Sequence, residues 1–268
     1  MKTFVLLGDS ITQQGFDTNG WGQLLSYRKC IGWFVLFLIL HLGYVRRADV
    51  FNRGYSGYNS RWVNVPLKSL IPQGNIDLAT IFFGANDACS GEQHVPVEEY
   101  KVHIENIIQQ LRSRKCERII IITPPPVAED MYLEAWRAKA RSKGLPEDDV
   151  SLDRSNNLVV KYVDACVDIG KSQSIPVLNL FELIGTEKTQ EYVSDGLHLN
   201  DAGNRQVFEE LIRIIEVSFS EYHVAVDSIT GNPANSGSSC SGILPSAPWW
   251  DRINKNDPIA ENGDLKTK

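Results

Sequence analysis

A serine at the end of an apolar run, and a histidine with an acid three residues before it, are residue types suited to acyl-transfer chemistry. Ser10 closes the stretch Phe4-Val5-Leu6-Leu7-Gly8-Asp9-Ser10. A serine hydroxyl is a weak nucleophile, so a base must take its proton. Histidines stand at positions 41, 94, 103, 198 and 223. Of these, only His198 has a carboxylate three residues upstream in a loop before a helix, in Asp195-Gly196-Leu197-His198. In an extended or turn conformation this spacing can set the Asp195 carboxylate beside Nδ1 and leave Nε2 free to face Ser10. Each stretch is ambiguous alone. Gly-Asp-Ser is also a common turn with an N-cap serine. Asp195 and Asn200 can equally make turn hydrogen bonds around a surface His198.

Catalysis by such groups needs strands that end close together, and the chain supplies them. Apolar runs bounded by Gly or Pro read as buried parallel strands over about Thr3 to Leu7, Asp49 to Asn52, Ile76 to Phe83, Arg118 to Thr123 and Val177 to Leu180. Three prolines, Pro124 to Pro126, stop the fourth, because proline cannot donate to a ladder. Helical patterns alternate with these runs. One opens near Gly20-Trp21-Gly22. Another runs from Pro96 to about Arg114, with Val102, Ile104, Ile107, Ile108 and Leu111 largely on one side. An amphipathic stretch from Met131 to Lys143 is expected near the substrate mouth. A long helix is expected over Leu152 to Gln173. The last helix, Ala202 to Phe219, is capped by Asn200 or Asp201 and turns Val207, Phe208, Leu211, Ile212 and Ile215 inward. Strand and helix in alternation predict a three-layer α/β/α fold, flavodoxin-like, around a parallel sheet of about five strands. Active groups then gather at the carboxyl edge of the sheet.

Four short blocks occur in order: Gly8-Asp9-Ser10, Asn52-Arg53-Gly54-Tyr55-Ser56-Gly57, Gly84-Ala85-Asn86-Asp87 and Asp195-Gly196-Leu197-His198. From about Phe4 to Phe219 this set resembles the SGNH hydrolases, the GDSL-type esterases and lipases. Gly20-Trp21-Gly22 and the continuation Tyr58-Asn59 resemble the isoamyl-acetate-hydrolysing branch. The resemblance implies Ser10, His198 and Asp195 as nucleophile, base and orienting acid. It implies an oxyanion hole made by the Ser10 N–H, the Gly54 N–H and the Asn86 amide. Asp9 and Asp87 read as braces of their loops. The implied reaction is hydrolysis of a small carboxylic ester, with a short acyl chain, through an acyl-serine and without a cofactor. The rivals are sugar O-deacetylation or acyl transfer at the same site, or a binding protein without catalysis. Gly-x-Ser-x-Gly is absent, since Tyr58 stands where the last glycine would be, which disfavours an α/β-hydrolase elbow.

One segment interrupts the resemblance. The family pattern joins Leu25-Ser26-Tyr27 almost directly to Tyr44, so residues 28–43 read as an insertion. Ile31 to Leu40 is almost wholly apolar, yet shorter than the ~18–20 residues that span a bilayer. Two readings compete: a membrane-touching or partner-binding element at 31–42, or a retained intron translated in frame. The second is favoured, because a long exposed apolar patch is a liability.

Composition narrows the remaining classes. The chain has 268 residues, 43% hydrophobic and 22% charged, enough for one sizeable α/β domain and a tail. A hydrolase domain over 1–222 and a loop-rich tail over 223–268 are expected. The net charge of −6 argues against a nucleic-acid partner. Five scattered cysteines form no Cys-x-x-Cys pair, so neither a disulfide framework nor a zinc site is implied. Only four apolar residues precede Gly8, too few for a signal peptide, which points to a cytoplasmic location. The sequence leaves the oligomeric state open.

Overall fold

The computed structural model describes residues 1–26, 44 and 47–222. The apolar insertion at 28–43, its suggested membrane contact and the tail from 223 lie outside the described residues. Among the described residues, no helix is long and apolar enough to cross a membrane.

Five strands carry the fold: β1 Lys2–Gly8, β2 Ala48–Gly54, β3 Leu78–Phe82, β4 Ile119–Ile122 and β5 Val177–Leu178. They pair in the order β2-β1-β3-β4-β5, all parallel. The apolar runs read from the sequence are these strands, and their composition explains why. Phe4 to Leu7 and all of β3 and β4 are buried, as continuous apolar strands must be when helices cover both faces. β1 pairs with β2 on one side and β3 on the other, so the strand order reverses there. This is the point where open parallel sheets leave a crevice at their carboxyl ends.

The helices follow in chain order: α1 Ser10–Gln14, α2 Trp21–Ser26, α3 Ser60–Asn64, α4 Leu67–Leu70, α5 Val97–Ser113, α6 Glu129–Ser142, α7 Asn156–Gln173, α8 Leu180–Ile184, α9 Thr189–Tyr192 and α10 Asp201–Ser218. α5 packs against α3 and α7 in one layer, and α10 packs against α2 in the other. The inward face of α5 is Tyr100, Ile104, Ile107, Ile108 and Leu111. Val102 is 61% exposed, contrary to the sequence reading, because two residues on a helix is more than half a turn from Ile104. α10 buries Val207, Phe208, Leu211, Ile212 and Ile215 as expected, and Asn200 caps it by accepting from the Ala202 and Gly203 N–H groups. The fifth strand is shorter than expected, because Leu180 already opens α8.

The helix expected from Leu152 begins only at Asn156. The residues before it run extended, and Arg154 forms an isolated antiparallel bridge with Cys89. Tyr44 is buried and its N–H donates to the Leu25 carbonyl at 2.7 Å. The two ends of the interrupting segment are thus hydrogen-bond neighbours. Arg47 follows at the amino end of β1, where its carbonyl accepts from the Lys2 N–H at 3.2 Å. Tyr44 and Arg47 lie by the amino ends of β1 and β2, whereas Ser10 follows the carboxyl end of β1.

Candidate active site

Ser10 sits directly after β1 as the first residue of α1. Asp9 holds this turn: its Oδ1 accepts from the Ile11 N–H at 2.9 Å, an N-cap that fixes the start of the helix. Ser10 is buried but its hydroxyl reaches a cavity of about 310 Å³, which Asp195 and His198 also line. The loop carrying these two lies between α9 and α10 and is folded on itself. Asp195 Oδ1 accepts from the Leu197 and His198 N–H groups at 3.0 and 2.8 Å. Its other oxygen lies 2.7 Å from His198 Nδ1. His198 Nε2 lies 2.8 Å from Ser10 Oγ. A carboxylate only accepts, so the Nδ1 proton belongs between ring and acid, and Nε2 is left to accept from the serine hydroxyl. The three residues selected in the sequence therefore form one hydrogen-bonded chain.

The donors implied beside Ser10 do not all gather there. Asn86 lines the cavity after β3. Gly54 does not. It is the last residue of β2, in register with Gly8, and its N–H donates to Asn52 Oδ1 at 2.8 Å. A Cβ at this position would lie 2.1 Å from the Gln13 nitrogen, so a glycine is required for β2 to pass close to α1. The glycine at the cavity is Gly57, three residues on, with φ of 79°. Its N–H has no acceptor among the described residues, and its carbonyl accepts from Gln93 Nε2 at 2.7 Å.

α6 forms a further wall, as expected of the amphipathic stretch. Tyr132, Ala135, Trp136 and Lys139 share one face of this helix and line the cavity. The Lys139 ammonium stands 4.2 Å from the Trp136 ring centroid.

The family model of the GDSL-like lipase/acylhydrolase family matches residues 6–206. The chain belongs to that family. The isoamyl acetate-hydrolyzing esterase 1 homolog of Mus musculus is 38% identical over 228 residues, which is 81% of this chain and 82% of the mouse protein. The isoamyl acetate-hydrolyzing esterase of Saccharomyces cerevisiae is 33% identical over 231 residues, 83% of this chain and 89% of the yeast protein. A crystal structure of the lipase/acylhydrolase from Enterococcus faecalis shares the fold, with a TM-score of 0.54 at 22% identity, covering 81% of this chain and 97% of that one. The chain is accordingly a carboxylic ester hydrolase of the GDSL type.

Electrostatics in this GDSL site divide the acids into two kinds. Burial alone would raise the Asp195 carboxyl, but the His198 ring and the backbone N–H groups of His198 and Leu197 outweigh it and hold the pKa down to about 2. Asp195 therefore remains a carboxylate beside the imidazole. Asp9 is the opposite case. Burial pushes its pKa up to about 7, only partly offset by the Ile11 N–H and the nearby His198. Asp87 is likewise pushed up to about 6 by burial, and its Oδ1 accepts from the Ser60 N–H at 2.9 Å. Both acids brace loops, as read from the sequence.

Arg154 and Gln93 were not singled out in the sequence, yet both line the cavity. A signal for Arg154 existed in Ser155, an N-cap residue type, which marks the true start of α7 and leaves Arg154 outside the helix. Gln93 carried none. Cys89, Cys116 and Cys166 are buried free thiols, consistent with packing roles, and burial pushes all three upward. Cys30 and Cys240 lie outside the described residues.

Proposed function

We propose that the chain hydrolyses small carboxylic esters, of short acyl chain, through an acyl-Ser10 intermediate. The observation that carries this reading is the unbroken series Asp195–His198–Ser10, with spacings of 2.7 and 2.8 Å, opening on a cavity. His198 Nε2 takes the Ser10 proton as Oγ attacks the ester carbonyl, and Asp195 supports the imidazolium that forms. The carbonyl oxygen becomes an oxyanion. The Ser10 N–H can meet it, since the first N–H groups of a helix have no partner within the helix. The Gly57 N–H and one proton of the Asn86 amide complete the donor set. Gly57 thus takes the place that the family resemblance had given to Gly54. His198 then returns the proton to the leaving alkoxide. Water attacks the acyl-enzyme by the same route in reverse, and the acid leaves.

The size of the cavity supports the short-chain preference. About 310 Å³ lies at the low end of the ~300–1,000 Å³ of ordinary ligand pockets. The names of the mouse and yeast relatives point to the same class, an acetate ester of a small branched alcohol. Initial rates on p-nitrophenyl acetate, butyrate and octanoate test the reading. The expected result is turnover of the acetate and butyrate esters, with kcat/KM lower by about tenfold or more for octanoate. Absence of turnover, or a preference for octanoate, contradicts it.

A further inference from the structure

Arg154 is 4% exposed, and a guanidinium has five N–H groups to satisfy. All of them are taken. Nε donates to the Ala85 carbonyl at 3.2 Å. Nη1 donates to the Tyr132 hydroxyl and to the Asp153 carboxylate, whose oxygens lie 3.0 and 2.9 Å away. Nη2 donates to Asn86 Oδ1 at 2.9 Å and to Gln93 Oε1 at 2.8 Å. No donor remains for a substrate, so Arg154 acts through its neighbours or not at all.

Arginine cannot accept a hydrogen bond. Both amide oxygens must therefore face it, and both amide nitrogens must face away. The Asn86 Nδ2 that results donates one proton to the Tyr58 carbonyl at 2.8 Å and keeps the other for the cavity. The Gln93 Nε2 that results donates to the Gly57 carbonyl at 2.7 Å. One nitrogen of one side chain thus sets both amides that hold the oxyanion site. A flipped Asn86 would present an oxygen to the developing negative charge and lose its bond to Tyr58.

We infer that Arg154 is the positioning residue of the oxyanion site, fixing the Asn86 amide directly and Gly57 by way of Gln93. The assignment rests on the ester-hydrolase mechanism proposed above. It deepens that mechanism by naming what orients the donors before substrate arrives. Preorganisation of this kind is what gives oxyanion donors their worth, since they need not turn during the reaction.

The test is kcat and KM on p-nitrophenyl acetate for purified, folded variants, counted per active site by fluorophosphonate labelling of Ser10. Arg154→Met is expected to lower kcat about 10²-fold or more, with KM within about threefold, the pattern of lost transition-state donors. In the Asn86→Ala/Gln93→Ala background the same substitution should change kcat by less than about threefold, because its two targets are gone. Arg154→Lys keeps the charge but not the two-pronged reach, and should remain impaired. Should Arg154→Met fail to fold, Gln93→Met removes one arm only and is expected to cost about tenfold in kcat. Unchanged kcat per labelled site in Arg154→Met or Gln93→Met, or an equal loss from Arg154→Met in both backgrounds, overturns the assignment. A wild-type protein that neither turns over ester nor takes the label overturns the mechanism beneath it instead.

Discussion

The base side and the donor side of the cavity are built in different ways. Asp195 and His198 are three residues apart, and the bonds of the Asp195 side chain are local, although the Gly196 carbonyl between them also accepts from the distant Ala128 N–H at 2.9 Å. Their side chains are 42% and 22% exposed. On the donor side Asn86 and Arg154 are each 4% exposed, and Arg154 reaches across 61 and 68 positions of sequence to Gln93 and Asn86. The pairing of acid and base is made within a small piece of chain. The donor side exists only when β2, β3 and the segment before α7 have come together. Damage to the first should therefore spare the fold, and damage to the second should cost both rate and stability.

The largest expected effect lies on the base side. His198→Ala should lower kcat by about 10⁴–10⁶, while thermal unfolding stays close to wild type. Steady-state rates and a melting curve on the same sample check both halves. A melting temperature that falls sharply would break the contrast. Asn86→Ala should cost less in rate, about 10²–10³ in kcat, but more in stability. It leaves the buried Arg154 Nη2 without one acceptor, a loss of about 1–3 kcal/mol readable by urea denaturation. A melting temperature equal to wild type would show the donor side to be no more integral than the base side.

Two glycines three residues apart, one ending β2 and one in the loop after it, sharpen the point. Gly54→Ala has no room beside α1, whereas a Cβ on Gly57 meets nothing nearer than 3.6 Å. Gly57→Ala should cost only the strain of its positive φ, about 1–2 kcal/mol. Denaturant titration of the pair should show Gly54→Ala as clearly the less stable. The reverse ranking would refute the reason given for Gly54.

The last contrast is in pH dependence. Asp9 has a native pKa near 7, well above the roughly 3.9 of an unfolded carboxyl. Between these values the unfolded chain releases the proton more readily, so stability falls as pH rises through the window. Asp9→Asn keeps an oxygen for the Ile11 cap but cannot ionise. Its melting temperature relative to wild type should improve steadily from pH 4 to 7. A constant difference across that range would show that Asp9 does not titrate there.

The same contrast explains what could be read from the chain. The strands were legible because burial on both faces demands continuous apolar runs, as in Ile119 to Ile122. The Asp195–His198 pair was legible because its geometry is local. Gly54 was read as a donor because it stands at the expected end of the second strand, but its N–H is turned to Asn52 Oδ1 and the glycine that lines the cavity lies three residues further on, at Gly57. Arg154 was missed because the apolar spacing of α7 was extended back to Leu152, and because none of its side-chain partners beyond Asp153 lies nearby in sequence. Long-range polar networks leave no periodicity to read.

The nucleophile can be tested in one measurement. Fluorophosphonate labelling followed by peptide mass spectrometry should place a single adduct on Ser10. Folded Ser10→Ala should take up no label and lose ester turnover. An adduct at another residue, or turnover that persists in folded Ser10→Ala, would contradict Ser10 as the group that carries the acyl chain.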